Sequence, residues 1–171
     1  RILCDDIDLP HPDLIGSPIH VKRLMMNIMS NAVKYNKDNG TITMTLREER
    51  CDGKTAWVKF TCADTGIGMS EEFQKHIFEP FTQEVLDARS TYGGTGLGMP
   101  IAKSLADKMG GTITFESRQG VGTTYYITLP LEIDPNAAPQ PETEKPADDA
   151  TLQGANILLA EDNDLNLAIA Q

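Results

Sequence analysis

Three polar side chains recur on one face of a segment in the first quarter of the chain. Asn27, Asn31 and Lys34 are spaced i, i+4 and i+7, so they share a face if the segment is helical. At 100° per residue this face lies roughly 120° from the apolar stripe of the same segment, on the helix flank. Two carboxamides and an ammonium group could offer oxygen to a hard cation and positive charge to a phosphate. Taken alone, the pattern fits an ordinary solvated face better.

An aspartate followed by two glycines offers a second kind of chemistry. The segment Asp64-Thr65-Gly66-Ile67-Gly68 comes directly after a predicted strand. A carboxylate at a strand end can accept a hydrogen bond from a ligand, and glycines let that ligand approach the backbone closely. By itself, an ordinary aspartate turn explains the segment better.

A glycine-rich run, Gly93-Gly94-Thr95-Gly96-Leu97-Gly98, opens another predicted helix. Backbone amides that lead into a helix N-terminus form a cradle for anions. The run is not a P-loop, because no Lys-Ser/Thr pair follows the glycines, and a polar loop rather than a strand precedes it, unlike the dinucleotide fingerprint. The alternative interpretation is a flexible hinge with a helix cap.

The long helix that carries the first group has clear start and stop signals. Ser17 suits the N-cap, Pro18 suits the first helical position, and the helix is expected to end near Tyr35. Its apolar stripe consists of Val21, Leu24, Met25, Ile28, Met29 and Ala32.

The other elements alternate between hairpins and helices. Strands are predicted over 2–4, 41–49, 55–63, 112–116 and 123–131. Further helices are predicted from Ser70 to about Ile77 and from about Gly98 to Met109, the second closed by Gly110-Gly111. This order predicts an α+β fold: a two-layer α/β sandwich with a mixed, mostly antiparallel sheet and helices on one face.

Charge divides the 171 residues into unequal parts. The net charge is −10, but residues 1–131 contribute only −2, residues 132–154 contribute −5 and residues 155–171 contribute −3. The acidity argues against nucleic acid as a partner. The sequence contains no apolar run long enough to span a membrane and no secretory signal, and its three cysteines form no CxxC pair, which excludes a zinc ribbon and favours a reducing cytoplasm.

The last quarter of the chain divides into two further predicted parts. Residues 132–154 contain four prolines and little to bury, which predicts a flexible acidic linker. Residues 155–171 begin with a short apolar strand that runs into the acidic pair Glu161-Asp162, and are expected to start a second domain.

The order of these motifs resembles the ATP-binding catalytic domain of sensor histidine kinases, in the wider family that also holds gyrase B, Hsp90 and MutL. The resemblance covers 14–131 and implies the Bergerat-type fold. It rests on an asparagine box over 27–35, a first glycine box over 64–69, a phenylalanine box over 77–81, a second glycine box over 94–99 and a closing Gly120-Val121-Gly122-Thr123-Thr124 segment. The phenylalanine box sets the chain apart from the gyrase-like, Hsp90-like and MutL-like members.

The resemblance implies ATP and Mg²⁺ as cofactors, with Asn31 as the metal ligand. It implies that Asn27 and Lys34 lie beside the phosphates, that Asp64 accepts from the adenine amino group, and that Thr123 bonds near adenine. Tyr35 would cover the base or belong to the core, and Gly66 and Gly68 would admit the nucleotide. The phosphate cradle would comprise Gly94, Thr95, Gly96, Leu97 and Gly98.

A nucleotide lid is expected over residues 82–96. Arg89 is the only basic residue between Glu79 and Thr95, so it would either reach the γ-phosphate or remain a solvated loop charge. Phe78 and Phe81 would pack at the hinge of this lid, or simply in the core.

The expected function is transfer of the ATP γ-phosphate to a histidine on another domain. His11, His20 and His76 lie outside the His-Asp/Glu-x-x-x-Pro setting of the family's phosphoacceptor. The implied partners are a phosphoacceptor helical-hairpin domain of the same protein or its dimer mate, and a receiver domain or response regulator, whose first strand residues 155–171 resemble. Neither nucleic acid nor direct membrane contact is expected, and the expected location is the cytoplasm, although the parent protein could be membrane-anchored.

Two alternatives remain at this point. One is a scaffold that senses nucleotide without transferring phosphate. The other is an ATPase of the gyrase or Hsp90 type.

Overall fold

A mixed sheet with helices on one face forms the unit Arg1–Asn136. The computed structural model describes residues 1–83 and 95–137. The described strands are β1 (Ile2–Asp8), β2 (Leu14–Ile15), β3 (Ile42–Cys51), β4 (Thr55–Asp64), β5 (Thr112–Arg118) and β6 (Gly122–Ile133). The described helices are α1 (Pro18–Lys34), α2 (Glu71–Gln74) and α3 (Gly98–Lys108). None of these helices is long and apolar enough to cross a membrane.

The strand order runs β1-β3-β4-β6, and both β2 and β5 pair with the far side of β6. Only the β1–β3 pair is parallel among the described strands, and the remaining pairs are antiparallel. The prediction of an α+β fold with a mixed, mostly antiparallel sheet is therefore confirmed.

Helix α1 begins and ends where its sequence signals predict. Ser17 has an extended backbone immediately before Pro18, and the backbone amide of Tyr35 donates to the carbonyl of Asn31 at the C-terminal end. The side chain of Ser17 makes no capping hydrogen bond, so the start of the helix depends on the conformation that Pro18 favours.

The core lies between this helix, α3 and one face of the sheet. Leu24, Ile28 and Ala32 are the buried residues of α1, and they repeat every four positions along one stripe. The sheet contributes alternate residues of its central strands, because side chains two apart share a face. Its most deeply buried members include Cys62, Ile127 and Leu129.

Several elements differ in length from their predictions. Strand β1 extends from Ile2 to Asp8 because it pairs with β3 along its length, and the two-residue strand β2 was not predicted. Helix α2 is a single turn, although Ser70 caps it as expected by accepting from the amide of Phe73 at 3.2 Å. Strand β6 continues to Ile133 because its last residues pair with β2.

Truncation of a buried side chain on β6 should destabilise this core. Ile127 is fully buried, whereas Ile19 is 77% exposed. We expect Ile127→Ala to lower the free energy of unfolding by about 2–5 kcal/mol, because it leaves a cavity in a packed interior. The matched variant Ile19→Ala should change it by less than about 0.5 kcal/mol. Urea titrations of both variants would measure the difference, and equal losses would contradict the assignment of the core.

Candidate functional site

A cavity of about 310 Å³ opens between α1, the end of β4, the start of α3 and β6. Its size lies at the lower end of the range for small-molecule sites. Helix α1 and the loop after β4 both line it, and the Ile67 amide of that loop donates to the Tyr35 carbonyl at the end of the helix. Residues Thr82, Gln83, Thr95 and Gly96, on either side of the undescribed segment 84–94, also border it.

The polar flank of α1 faces this cavity. Asn27, Asn31 and Lys34 all line it, because they flank the stripe of the helix that is buried against the sheet. The Asn27 side-chain amide nitrogen is buried and has no hydrogen-bond partner within the described residues. A buried amide without an acceptor is costly, so this nitrogen is placed to donate to a ligand.

Lys34 and Tyr35 interact at the end of the same helix. The Lys34 ammonium donates to the Tyr35 hydroxyl at 2.9 Å and lies 4.6 Å from the centre of its ring. Both residues line the cavity. The positive charge is therefore held at the cavity edge.

Asp64 is the acidic group of the site, and its position follows from the sheet register. It ends β4 directly opposite Thr123 of β6. Its Oδ1 accepts hydrogen bonds from the Gly66 amide at 2.8 Å and from the Thr123 amide at 3.3 Å. Because both amides reach Oδ1, Oδ2 is the oxygen to which a ligand can donate.

Burial raises the pKa of Asp64, and the hydrogen bonds from Gly66 and Thr123 act in the opposite direction. Thr123 is itself 7% exposed, and its hydroxyl lies 2.9 Å from that of Ser117. The site thus combines a partly desolvated carboxylate with an ammonium and two carboxamides in the wall of one cavity.

The two glycines after Asp64 are required by contacts within the protein itself. Gly68 has φ +63°, and a Cβ there would lie 2.1 Å from the carbonyl oxygen of Arg118. A Cβ on Gly66 would lie 2.3 Å from the carbonyl oxygen of Tyr35. Gly68 lines the cavity, whereas Gly66 lies behind Asp64 and acts through its hydrogen bond to the carboxylate.

The second glycine box leads into the start of α3, which lies beside the polar flank of α1. Thr95, Gly96 and Gly98 line the cavity, and a Cβ on Gly98 would lie 3.6 Å from the Asn27 side-chain oxygen. Leu97 occupies the N-cap position of α3 and is not among the cavity-lining residues within the described part of the chain. Gly94 and Arg89 lie outside the described residues.

The two phenylalanines of the phenylalanine box have different environments. Phe78 packs against the core, with its ring centre 5.8 Å from that of Phe115 in an edge-to-face arrangement. Phe81 is 74% exposed, has φ +65°, and its amide donates to the carbonyl of Gly96 at 3.1 Å. This hydrogen bond joins the chain on the two sides of segment 84–94.

Other cavity residues were not predicted from the sequence. They are mostly apolar and include Met69, Phe73, Ile77 and Tyr125, with Ser30 on the helix side. Tyr125 lies two positions after Thr123 on the same face of β6, so strand alternation was the signal that could have identified it. Burial raises the pKa of the Tyr125 phenol, and the nearby Asp64 carboxylate raises it further.

Comparison with known proteins agrees with this architecture. Residues 16–133 match the family described as histidine kinase-, DNA gyrase B- and HSP90-like ATPases, so the chain belongs to this family. The more specific assignment comes from individual relatives. Hybrid signal transduction histidine kinase F of Dictyostelium discoideum is 41% identical over 130 residues, which cover 74% of this chain and 11% of that protein.

Two further relatives extend the comparison. The signal transduction histidine-protein kinase BarA of Escherichia coli strain K12 is 32% identical over 129 residues, or 75% of this chain and 14% of that protein. The structure of full-length ShkA in complex with AMPPNP has a TM-score of 0.62 and 27% identity over 77% of this chain and 26% of that one. The mycobacterial sensor histidine kinase MprB has a TM-score of 0.60 and 26% identity over 76% of this chain and 84% of that one.

The chain is thus an ATP-binding catalytic domain of the histidine kinase type, similar to those of hybrid sensor kinases. It spans only 11% of the length of the Dictyostelium kinase and 14% of the length of BarA.

The pH dependence of stability should report the burial of Asp64. Because the folded chain holds this proton more tightly, its contribution to stability is present at low pH and is lost as the pH rises through the raised pKa. We therefore expect nucleotide-free wild-type protein to lose stability relative to Asp64→Asn as the pH rises.

Asp52 provides a control of opposite sign. Backbone hydrogen bonds from Thr55 and Lys54 lower the pKa of this turn aspartate, so its contribution is lost as the pH falls through the lowered pKa. Thermal melts of the wild type, Asp64→Asn and Asp52→Asn across the acidic range would measure both effects. Parallel curves for the two variants would contradict the burial assigned to Asp64.

Proposed function

We propose that this chain binds Mg·ATP in the cavity and acts as the catalytic domain of a protein histidine kinase. It would direct the γ-phosphate to a histidine on a helical-hairpin domain of the same protein or its dimer mate, for relay to an aspartate of a receiver domain or response regulator. The main support is that the Asp64 carboxylate and the polar flank of α1 line the same cavity.

Asp64 provides the basis for adenine selection in this proposal. Its Oδ2 would accept a hydrogen bond from the exocyclic amino group of adenine, whereas guanine presents a carbonyl oxygen at that position and would be repelled. Thr123 would bond beside the same edge of the base. The apolar side chains of Met69, Ile77 and Tyr125 line the cavity near it and would exclude water from the base.

The flank of α1 would hold the phosphates. The buried nitrogen of Asn27 needs an acceptor, which a phosphate oxygen supplies, and the Lys34 ammonium would add positive charge. The side-chain oxygen of Asn31 is a hard ligand suited to Mg²⁺. When bound, Mg·ATP supplies the transferred phosphoryl group and a cation that neutralises its developing charge.

The start of α3 would complete the phosphate site. Amides at a helix N-terminus point toward bound anions, and Thr95, Gly96 and Gly98 border the cavity there. Gly94 and Arg89 are proposed to contribute an amide and a γ-phosphate contact, from outside the described residues. The task of these groups is to position and neutralise charge, because the nucleophile belongs to another domain.

The domain arrangement is also a proposal. Residues 132–154 would link this domain flexibly to a receiver domain that begins within 155–171. The whole protein would then be a hybrid kinase that works in the cytoplasm, which accords with its similarity to named hybrid kinases.

Loss of the Asp64 charge should weaken adenine binding without loss of the fold. Asp64→Asn keeps an acceptor for the Gly66 and Thr123 amides but loses the charge-assisted bond to the base. We expect the binding free energy of ADP, measured by calorimetry, to fall by about 1.5–3 kcal/mol. Asp52→Asn, in the β3–β4 turn, should bind as the wild type does. Equal ADP affinity in all three proteins would refute the role of Asp64.

Asn31→Ala should remove the dependence of nucleotide binding on magnesium. In the wild type, Mg²⁺ should tighten binding of a non-hydrolysable ATP analogue relative to EDTA, because the side-chain oxygen of Asn31 helps to hold the ion. In Asn31→Ala the two affinities should converge. Ser30→Ala, the neighbouring cavity residue, serves as control and should retain the magnesium effect. A full magnesium effect in Asn31→Ala would exclude this residue as a ligand.

A phosphotransfer assay tests the proposed function directly. Radiolabelled ATP, Mg²⁺ and the parent protein's own helical hairpin should yield a phosphohistidine on the hairpin, and Asn31→Ala should abolish it. Binding of ATP without transfer would favour the nucleotide-sensing scaffold. Release of phosphate without the hairpin would favour an ATPase of the gyrase or Hsp90 type.

A further inference from the structure

Three side chains with metal-binding atoms meet far from the nucleotide cavity, at the turn end of the β3–β4 hairpin. His11 lies in the connection between β1 and β2, and Glu48 and Cys51 lie on β3. One donor atom from each of the three side chains lies within 4.8 Å of the other two. The cluster therefore joins two segments that are 37 residues apart in the chain.

A β-bulge brings the two strand residues to the same face. Glu48 pairs with Val58, Cys51 pairs with Ala56, and the register shifts between Glu48 and Arg50. Side chains directly opposite in an antiparallel pair share a face, and Ala56 and Val58 both face the core. Regular alternation would have placed Cys51 on the opposite face from Glu48, so the extra residue at the bulge accounts for the cluster.

Arg50 lies on the other face of the strand, as the bulge requires. It pairs with Trp57, and its guanidinium carbon lies 3.8 Å from the centre of the Trp57 ring. The stacked pair fixes the position of the strand beyond the bulge. Cys51 is consequently held toward His11 and Glu48.

The carboxylate of Glu48 is unusually enclosed for a residue near a hairpin turn. Its side chain is 6% exposed and continues the apolar row of Met44 and Leu46 on β3. The His11 backbone amide donates to Oε2 at 3.2 Å, and His11 Nδ1 lies 3.0 Å from Oε1. A buried carboxylate is costly unless charge or hydrogen bonds compensate it.

The third donor is accessible. The Cys51 thiol is exposed, and its Sγ accepts a hydrogen bond from the Gly53 amide at 3.1 Å, which holds the sulfur in place at the start of the turn.

We propose that His11, Glu48 and Cys51 form a binding site for a divalent transition metal of the zinc class. One imidazole nitrogen, one carboxylate oxygen and one thiolate sulfur suit Zn²⁺, whereas Mg²⁺ and Ca²⁺ prefer oxygen ligands alone. Three protein ligands leave one tetrahedral position for water. Binding releases the proton of the Cys51 thiol to solvent, and the metal takes the ring nitrogen of His11 that carries no proton, so the ring proton lies on the other nitrogen.

The hydrogen bond from the His11 backbone amide to Glu48 persists when the ring nitrogen binds metal, so it continues to orient the carboxylate. The bound ion ties the β1–β2 connection to the β3–β4 hairpin. Glu48 and Cys51 pair with residues six and eight positions before Asp64 on β4, so the ion lies roughly 20–27 Å from Asp64. The site is therefore independent of the nucleotide and of the function proposed above.

The test uses the full 171-residue chain without nucleotide and with Mg²⁺ removed. Calorimetric titration with Zn²⁺ should give one ion per chain and a rise in melting temperature. Titration with Co²⁺ should give the near-ultraviolet charge-transfer band of a cobalt–thiolate bond. Asn31→Ala should bind Zn²⁺ as the wild type does, which excludes the nucleotide site as the source of the signal.

Matched variants identify the ligands. Cys51→Ala should abolish the cobalt charge-transfer band, whereas Cys4→Ala, at the other exposed cysteine, should retain it. His11→Gln should lower the affinity for Zn²⁺ by at least roughly 10- to 100-fold, which is the loss that removal of a supporting residue causes. His76→Gln should leave the affinity for Zn²⁺ unchanged. Retained ADP binding in each variant would confirm that it is folded. Absence of one-to-one Zn²⁺ binding, or unchanged affinity in both Cys51→Ala and His11→Gln, would overturn the proposal.

Discussion

The register between β4 and β6 determines the surroundings of the Asp64 carboxylate. In this register Asp64 faces Thr123 and Cys62 faces Tyr125. A slip of one residue would move Asp64 to the opposite face of the sheet, because side chains alternate with period two. The close approach that the register demands also explains Gly122, where a Cβ would lie 2.0 Å from the carbonyl oxygen of Asp64. The environment of this carboxylate thus depends on the pairing of two central strands.

The position of the polar flank of α1 in the cavity wall depends on the rotation of the helix. Burial of Leu24, Ile28 and Ala32 against the sheet fixes that rotation, and Asn27 and Asn31 each precede a buried residue by one position. The same hydrophobic stripe that stabilises the helix therefore aims the carboxamides at the cavity edge. A helix that rotated to bury its polar flank would leave that stripe in water, at a cost of about 25 cal/mol for each Å² exposed.

Local signals in the sequence were sufficient for most of the elements and for part of the site. Ser17-Pro18 and the period of the apolar residues identified α1, and the turn at Asp52-Gly53 identified the β3–β4 hairpin. The length of β1 could not be predicted, because it comes from parallel pairing with a strand more than thirty residues away. The family resemblance implies that Gly66 admits the nucleotide, and the structure adds a steric requirement, because a Cβ at Gly66 would meet the Tyr35 carbonyl oxygen. Such a requirement depends on a tertiary contact that no local pattern contains.

The cluster of His11, Glu48 and Cys51 was missed for a related reason. The sequence has no CxxC pair, and the strand predicted over 41–49 ends before Cys51. Regular alternation beyond that point would place Cys51 and Glu48 on opposite faces. The register shift between Glu48 and Arg50 reverses that relation only beyond the bulge. From Glu48 back to Ile42 the ladder is regular, so Ile42 still pairs with Asp64 at the opposite end of the hairpin. Because the irregularity is confined to the turn end, the three side chains can meet there without moving the Asp64 carboxylate at the other end of the hairpin.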